Sequence, residues 1–465
     1  MKRASLILLA LAGGFHLALL IGWRWQQPLI PYFFDSTVLT GRRGFDFYSI
    51  YQAGYNARHG ADIYEGDAAK VHTTVPYFTP YRYLPIVAYT VGAALSLFAP
   101  LTAYKLWVLV IELTLLGCVF WTWRVVRDPD HFAPLALMWL VFTPFYLELF
   151  MGQFSLIQGA LVFGMLMLSL TPQSLSPDDN KAAIRRGRPR LESPPLLKRD
   201  FPLQERGPGG EVVWFDRLYL ASVLWKINTI VFAPALIRLR RFRLLAVTTL
   251  VVVLTTIPYF IIFPAHARDF WVNNFGNTVA GHELGNLGFR QFVFELLAAF
   301  NVSPSVQRLA QLAVVGVVGL SSLLFTFYSP KWRLVTRHWK LAFEILDFRF
   351  SVLSPQPSAW LSLWLTAFFL VSPQIWEHHS VMLLPVLIVA YWQKPHWLIF
   401  IIWLLLALPT PFGFIGLQSA IAADHDLRAF PLHPAWQPLL QHASKAVPTL
   451  VLWGYFCWKS VAGEG

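Results

Sequence analysis

Charge is what this chain has little of. Asp, Glu, Lys and Arg together make up 13% of its 465 residues, about half of the ~25% usual in soluble domains. A soluble fold cannot cover its surface with so few polar side chains. Cysteine is scarcer still. Cys118 and Cys457 both sit inside apolar runs, which excludes a disulfide framework and leaves the redox compartment undefined. No Gly-rich loop precedes a Lys-Ser or Lys-Thr pair, and no Gly-x-Ser-x-Gly elbow occurs, so ATP use and serine hydrolysis have no motif to stand on. No solenoid-type repeat is visible.

What is present instead is apolar. Residues of the AVILMFWYC set reach 56% and mean hydropathy is +0.51. The reading is an all-α polytopic membrane protein, one domain over 1–465. Its 37 basic residues against 25 acidic ones leave a net charge of +12. The excess clusters between apolar runs, where the positive-inside rule accounts for it, so no nucleic-acid partner is expected.

Met1-Lys2-Arg3 precedes an apolar run from Ser5 to Trp23. Ala10-Leu11-Ala12 offers a small-x-small cleavage site, but the run continues past it, so an uncleaved first helix is expected. Further spans are expected at about 84–99, 104–123, 132–149, 154–170, 218–237, 244–263, 306–328, 359–372, 379–393, 396–410 and 445–459. Several fall short of the ~20 residues a straight crossing needs, and Pro-interrupted ones such as 84–100 point to half-helices beside a water-filled site. The loop 171–217 holds seven prolines and nine Lys/Arg and reads as flexible and cytoplasmic, as does the basic stretch 331–349. The loops 24–83, 264–303 and 411–444 are aromatic-rich and are placed outside. Simple alternation cannot put Arg124 and Arg127, the 171–217 loop and Arg238-Leu239-Arg240-Arg241 all inside, and making 218–237 a re-entrant hairpin repairs this. The expectation is 11 to 13 transmembrane or re-entrant helices.

The first outer loop is the most specific stretch. In Gly44-Phe45-Asp46-Phe47-Tyr48-Ser49-Ile50-Tyr51-Gln52-Ala53-Gly54-Tyr55, the residues Phe45, Tyr48, Gln52 and Tyr55 recur at helical spacing, and Gly60 suits a left-handed C-cap. A short amphipathic helix lying on the membrane surface is predicted. Asp46 at its start is either a cap for free amides or a positioned general base. Arg82, in Tyr81-Arg82-Tyr83-Leu84-Pro85, is either a headgroup-level phosphate ligand or a snorkelling anchor.

Together these segments resemble glycosyltransferase family 87, the C-type polyprenyl-phosphate-dependent mannosyltransferases similar to the phosphatidylinositol-mannoside enzymes. The likeness lies in Asp46 through Gly54, Gly60-Ala61-Asp62-Ile63-Tyr64, Tyr83-Leu84-Pro85, Gly152-Gln153, Trp225-Lys226 and Ser372-Pro373-Gln374-Ile375-Trp376-Glu377-His378-His379. The sequence departs from the family pattern at Leu84, where a second Pro is common, and at Ile227-Asn228, where Pro usually follows the Lys. The resemblance implies a C-type glycosyltransferase fold and transfer of a hexose, mannose by analogy, from a polyprenyl-phosphate donor to a lipid or glycolipid acceptor, with inversion. It implies Asp46 as base and Tyr48, Tyr51, Gln153, Arg290, Trp376 and Glu377 around the substrates, with no cofactor or metal. The expected place is a bacterial inner membrane, with the site on the periplasmic or extracellular face. A lipid-linked glycan transporter and an outer-face glycan ligase or polymerase are the competing classes.

Lys226 lies in an apolar run, where an ammonium costs at least about 2.5–3.5 kcal/mol unless it faces a cavity and an anion. It is expected to bind the donor phosphate with Arg82, His378 and His379. Pairing with Glu112 or Glu148 is the structural alternative. In Trp376-Glu377-His378-His379 one histidine is expected to donate to the phosphate while Glu377 orients it, against an ordinary interfacial cluster. The outer loop 264–303, with Asn273-Asn274-Phe275-Gly276-Asn277, His282-Glu283 and Arg290, suits sugar hydroxyls and phosphate, against an ordinary surface loop. Asp128-Pro129-Asp130 imitates a metal-binding Asp-x-Asp but reads as a turn.

Overall fold

A computed structural model describes residues 3–25, 43–170, 210–276, 285–327, 357–410 and 436–462. The basic stretch 331–349, most of the 171–217 loop, Asn277 and His282-Glu283 lie outside the described residues. Among those described the fold is all-helical. In chain order the helices used below are α1 (Arg3–Trp25), α2 (Phe45–Arg58), α3 (Pro85–Leu95), α4 (Pro100–Val126), α5 (Pro129–Leu140), α6 (Pro144–Met151) and α7 (Ser155–Ser169). Then come α8 (Gly210–Trp225), α9 (Ile227–Arg238), α10 (Phe242–Ile262), α11 (Pro264–Trp271), α12 (Phe289–Ala299) and α13 (Pro304–Phe327). The last four are α14 (Pro357–Val371), α15 (Leu384–Gln393), α16 (Trp397–Ala407) and α17 (Trp436–Ala462).

Among the described residues a helix falls in each apolar run, but four or five, not 11 to 13, have the length and composition of a membrane crossing, and the helices divide into two classes by length. Among the described residues four (α1, α4, α10 and α13) are long and apolar enough to cross a membrane, and α5 with α6, bent by 47° at a short break, make up to five. The apolar windows of the four long helices are at most one-third buried, as low as 6% for α10. They present rows of exposed side chains such as Leu250, Leu254, Ile257 and Ile261, or Leu309, Leu312 and Leu320. Contiguous apolar surface of that kind is abnormal in a soluble monomer and is consistent with membrane association. The shorter helices α7, α14 and α15 are instead buried along most of their length. Breaks set their lengths: α3 passes through a π-helical stretch at Ala88–Gly92, and Lys226, in an extended conformation, separates α8 from α9.

The break at Lys226 reverses the chain. Asp216 on α8 and Arg241, just past the end of α9, form an ion pair with Nη1 to Oδ1 at 2.8 Å, and the same guanidinium covers the Phe215 ring. Segments on either side of Lys226 therefore run back to the same level, with Lys226 at the tip of a hairpin. Residues 210–217, expected to belong to a loop, are already helical because Val212-Val213-Trp214-Phe215 continues the apolar pattern of α8. Asp128 caps α5, accepting from Asp130 N at 3.0 Å, and Ser5 donates to Asp130 at 2.6 Å. Asp128 thus serves the turn, and Asp130 ties α5 to α1.

One expectation about α2 is corrected. It does not lie along a surface with one face wetted. Phe47 through Gly54 are buried without interruption, which spans all sides of a helix with 3.6 residues per turn. The reason is enclosure by α3, α4 and α6. Gly54 meets Gly92 so closely that a Cβ added at Gly54 would lie 1.9 Å from the Gly92 carbonyl carbon. Tyr51 donates to the Phe98 carbonyl at 2.7 Å, and Arg58 donates to Ser96 O at 2.9 Å. The loop 24–83 is also tied to the loop 264–303: His266 stands 3.1 Å from Asp62 Oδ1, and Asn273 donates to Tyr64 O at 2.8 Å.

This contact generates a test. An interior helical Gly→Ala normally adds about 0.5–1 kcal/mol, and Gly117→Ala in α4, where a Cβ meets nothing within 4 Å, is expected to leave the melting temperature in detergent unchanged or raise it. Gly54→Ala is expected to lower it by the equivalent of at least about 1–3 kcal/mol through overpacking. Equal melting temperatures for the two variants would refute the close approach of α2 and α3.

Candidate active site

The site is assembled on the turn between α6 and α7. α6 ends at Gly152 in the left-handed conformation, φ +63°, and a side chain there would collide with Phe47 Cβ at 2.6 Å. Glu148, wholly buried, reaches across the turn and accepts from Leu156 N at 2.7 Å. It thereby supplies the cap that the α7 start otherwise lacks. The next residue after the glycine, Gln153, donates through Nε2 to Asp46 Oδ2. One turn further on, Gln158 donates to the backbone carbonyl of Lys226 at 2.7 Å, holding the hairpin tip.

Asp46 does not cap its own helix. The N-cap of α2 is Gly44, at φ +73° and without a side-chain hydrogen bond, and Gly44 N donates to Phe150 O at 2.8 Å. Asp46 is half-buried. Burial raises its pKa above the ordinary carboxylate value, opposed by the Gln153 hydrogen bond and by the positive fields of Arg82 and Lys226. Arg82 is exposed but lies within reach of the same carboxylate electrostatically.

Lys226 is half-buried and feels both Glu148 and Asp46, yet among the described residues no carboxylate lies within ion-pair distance of its Nζ. Glu112, one alternative partner, pairs with His16 on α1 at 3.2 Å. Glu148, the other, has one oxygen on the α7 amide. The nearest polar side-chain contact of Lys226 is His379 Nε2 at 3.5 Å. His379 Nδ1 accepts from Trp376 N at 3.1 Å. A backbone N–H can only donate, so the neutral ring carries its proton on Nε2. His379 Nε2–H therefore points at Lys226 Nζ, and with Lys226 protonated two donors meet there. His378 packs edge-on against His379, ring centroids 4.4 Å apart, and its buried Nε2 has no hydrogen-bond partner. Lys226 Nζ and His379 Nε2–H are donors of the kind that can bind an oxyanion.

Glu377 turns the other way, which corrects its expected role. It is fully buried and accepts from Thr410 N and Oγ1, each at 3.1 Å. It pairs with Lys445 Nζ at 3.3 Å, so it orients no histidine. Lys445 also donates to Leu406 O at 2.9 Å and to Leu408 O, closing the C-terminal end of α16. Adjacent residues on a tight 3₁₀ turn point to different sides, and here they split one motif between a structural ion pair and the site. Trp376 packs on Gly285. The segment before it is held by Asn286, which donates to Pro373 O at 2.7 Å and accepts from Ile375 N at 3.0 Å.

The remaining expected residues are placed as follows. Tyr48 is enclosed by Phe47, Tyr77 and Tyr104, and Tyr51 uses its hydroxyl on Phe98, so both rings pack α2. Arg290 donates to Val371 O at 3.3 Å, where α12 meets the end of α14. Asp46, Gln153, Arg82, Lys226, His378 and His379 come together. Gln158 and Glu148 were missed as organising groups, although a glutamine and a glutamate inside apolar helical runs are the signal that finds such residues. Among the described residues no group of three or more His, Cys, Asp or Glu side chains could hold a metal ion. No protein-family model, no curated protein and no solved structure matches the chain.

The Glu377–Lys445 pair gives a stability prediction. Glu377→Leu leaves Lys445 buried without its counter-charge and is expected to cost about 3–5 kcal/mol, whereas pairing it with Lys445→Met recovers much of that. Thermal melts of the two single variants and the double variant form the cycle that checks it. Additive losses in the double variant would count against the pair.

Proposed function

We propose that this chain is a membrane glycosyltransferase that moves a hexose, mannose by resemblance, from a polyprenyl-phosphate donor to the hydroxyl of a lipid or glycolipid acceptor. The observation that carries the reading is one site holding a half-buried carboxylate, Asp46, beside a cation and an imidazole N–H that face each other at 3.5 Å. A base and an oxyanion-binding pair of donors are the two halves of glycosyl transfer from a phosphate ester.

In the proposed reaction the acceptor O–H gives its proton to Asp46 as its oxygen bonds to the anomeric carbon. The bond from that carbon to the phosphate oxygen breaks, and polyprenyl phosphate departs with the bonding pair. Attack from the side opposite the leaving group inverts the anomeric centre. Lys226, His379 Nε2–H and Arg82 stabilise the charge that grows on the phosphate, which is where fixed donors contribute most. The apolar exterior of the long helices suits the donor's lipid tail. Placement in a bacterial inner membrane, with the site facing the periplasm or cell exterior, belongs to this reading.

Incubation of the purified protein with polyprenyl-phosphate mannose and a candidate lipid acceptor, followed by mass measurement, tests it: a gain of one hexose is expected. No covalent change would favour a transporter, and a large added block a ligase or polymerase. Asp46→Asn is expected to lower transfer by about 10²–10⁴-fold with donor binding retained. Because the base acts deprotonated and burial raises its pKa, kcat/KM should fall as pH drops through a midpoint above the ordinary Asp value of ~3.9. Lys226→Ala is expected to weaken polyprenyl-phosphate binding by about 10–100-fold, the worth of a charge-assisted hydrogen bond. Unchanged affinity would make the lysine structural.

A further inference from the structure

Gln153 is immobilised at every polar atom. Its backbone N–H donates to Glu148 O at 2.9 Å and its carbonyl accepts from Trp107 Nε1 at 3.4 Å. Its side-chain Oε1 accepts from Phe154 N at 3.2 Å, and only Nε2 is left for Asp46 Oδ2. The orientation of a carboxamide is often ambiguous, but here the Phe154 N–H can face only an oxygen, which turns the NH₂ group toward the carboxylate. Gly152, immediately before it, sets the chain direction with a positive φ, and the side chain is nearly sealed from solvent, 5% exposed. Asp46 is held by one oxygen alone: Oδ1 accepts from no described residue. A base needs one free lone pair aimed at the substrate and a carboxylate plane that does not rotate.

We propose that Gln153 is a positioning residue for Asp46, clamping Oδ2 from the α6–α7 turn so that Oδ1 is presented to the acceptor hydroxyl, and that Gln153 itself touches neither substrate. This rests on the reading of Asp46 as the base. The groups facing Asp46 from the surrounding elements are Arg82 and Tyr83 ahead of α3, Glu148 on α6 and Lys226 at the hairpin tip. Gln153 is the one that meets its carboxylate by a hydrogen bond among the described residues. Because the amide N–H favours the ionised carboxylate, removing it has a direction. The midpoint of Asp46 moves up, and it moves further if a carboxylate replaces the amide.

The test uses the full-length protein in detergent with Gln153→Met, which keeps the volume, and Gln153→Glu, which keeps the shape. Two readouts are taken. In transfer assays Gln153→Met is expected to lower kcat about 10–100-fold with donor and acceptor KM within about threefold. Gln153→Glu is expected to shift the acid limb of the pH profile upward by about one unit or more. A raised KM with unchanged kcat would show a substrate contact and overturn the proposal.

The second readout needs no activity: adduct formation at Asp46 by dicyclohexylcarbodiimide, which modifies protonated carboxyls, is quantified by mass spectrometry across pH. Its midpoint should rise in both variants. If wild-type protein transfers no hexose yet these midpoints rise, the clamp stands and the transferase reading falls. If the midpoints match wild type, the clamp falls whatever the activity.

Discussion

The site depends on one buried capping interaction. Glu148, at the end of α6, accepts the amide of Leu156 at the start of α7, closing a turn whose glycine has a backbone conformation that side chains rarely adopt. A helix start buried without a partner would leave amides unsatisfied, each at about 1–3 kcal/mol. The carboxylate removes that penalty and in doing so sets where the first residues of α7 point. Gln153 then reaches Asp46 and Gln158 reaches the carbonyl of Lys226. The acid comes from the first loop and the cation from a hairpin far along the chain, and both are referred to the same few residues.

The division of helices into long and short follows from what surrounds them. α1, α4, α10 and α13 expose leucine and isoleucine on most sides and are long enough to cross a hydrocarbon layer. The short helices cannot do so; α7, α14 and α15 are enclosed within the bundle, and short-helix ends meet protein groups: Lys445 at the end of α16, Glu148 at the start of α7. Broken helices are tolerated at such depth only where protein or a polar cavity satisfies the freed backbone. The breaks at Gly152 and Lys226 adjoin Asp46 and its neighbours, and the one at Ala88–Gly92 packs against α2 at Gly54.

Much of this was legible in the chain. Runs of apolar residues marked where helices would form, because burying or lipid-solvating a backbone demands internal hydrogen bonds and hence helices. Asp46, Lys226 and the His378-His379 pair stood out because polar groups in greasy surroundings need a reason to be there. Less visible was how neighbouring residues divide their work. Glu377 and His379 lie two positions apart, yet one belongs to a structural ion pair and the other faces Lys226, since a 3₁₀ turn sends their side chains to different sides. Tyr51 carries a polar handle suited to a substrate, but its hydroxyl meets the Phe98 carbonyl. Asp46 at a helix start had the composition of a cap, and only the position of Gln153 shows that its carboxylate is engaged elsewhere.

Composition and periodicity by themselves determined that this protein is a bundle of apolar helices with a small set of misplaced polar residues, because those properties depend on transfer free energy and on spacing along one helix. Which polar residues face each other was decided by the tertiary structure. A meeting of Asp46 with Gln153, or of Lys226 with His379, depends on a left-handed glycine and a reversed hairpin, and close approach between distant segments leaves no periodic trace in the chain.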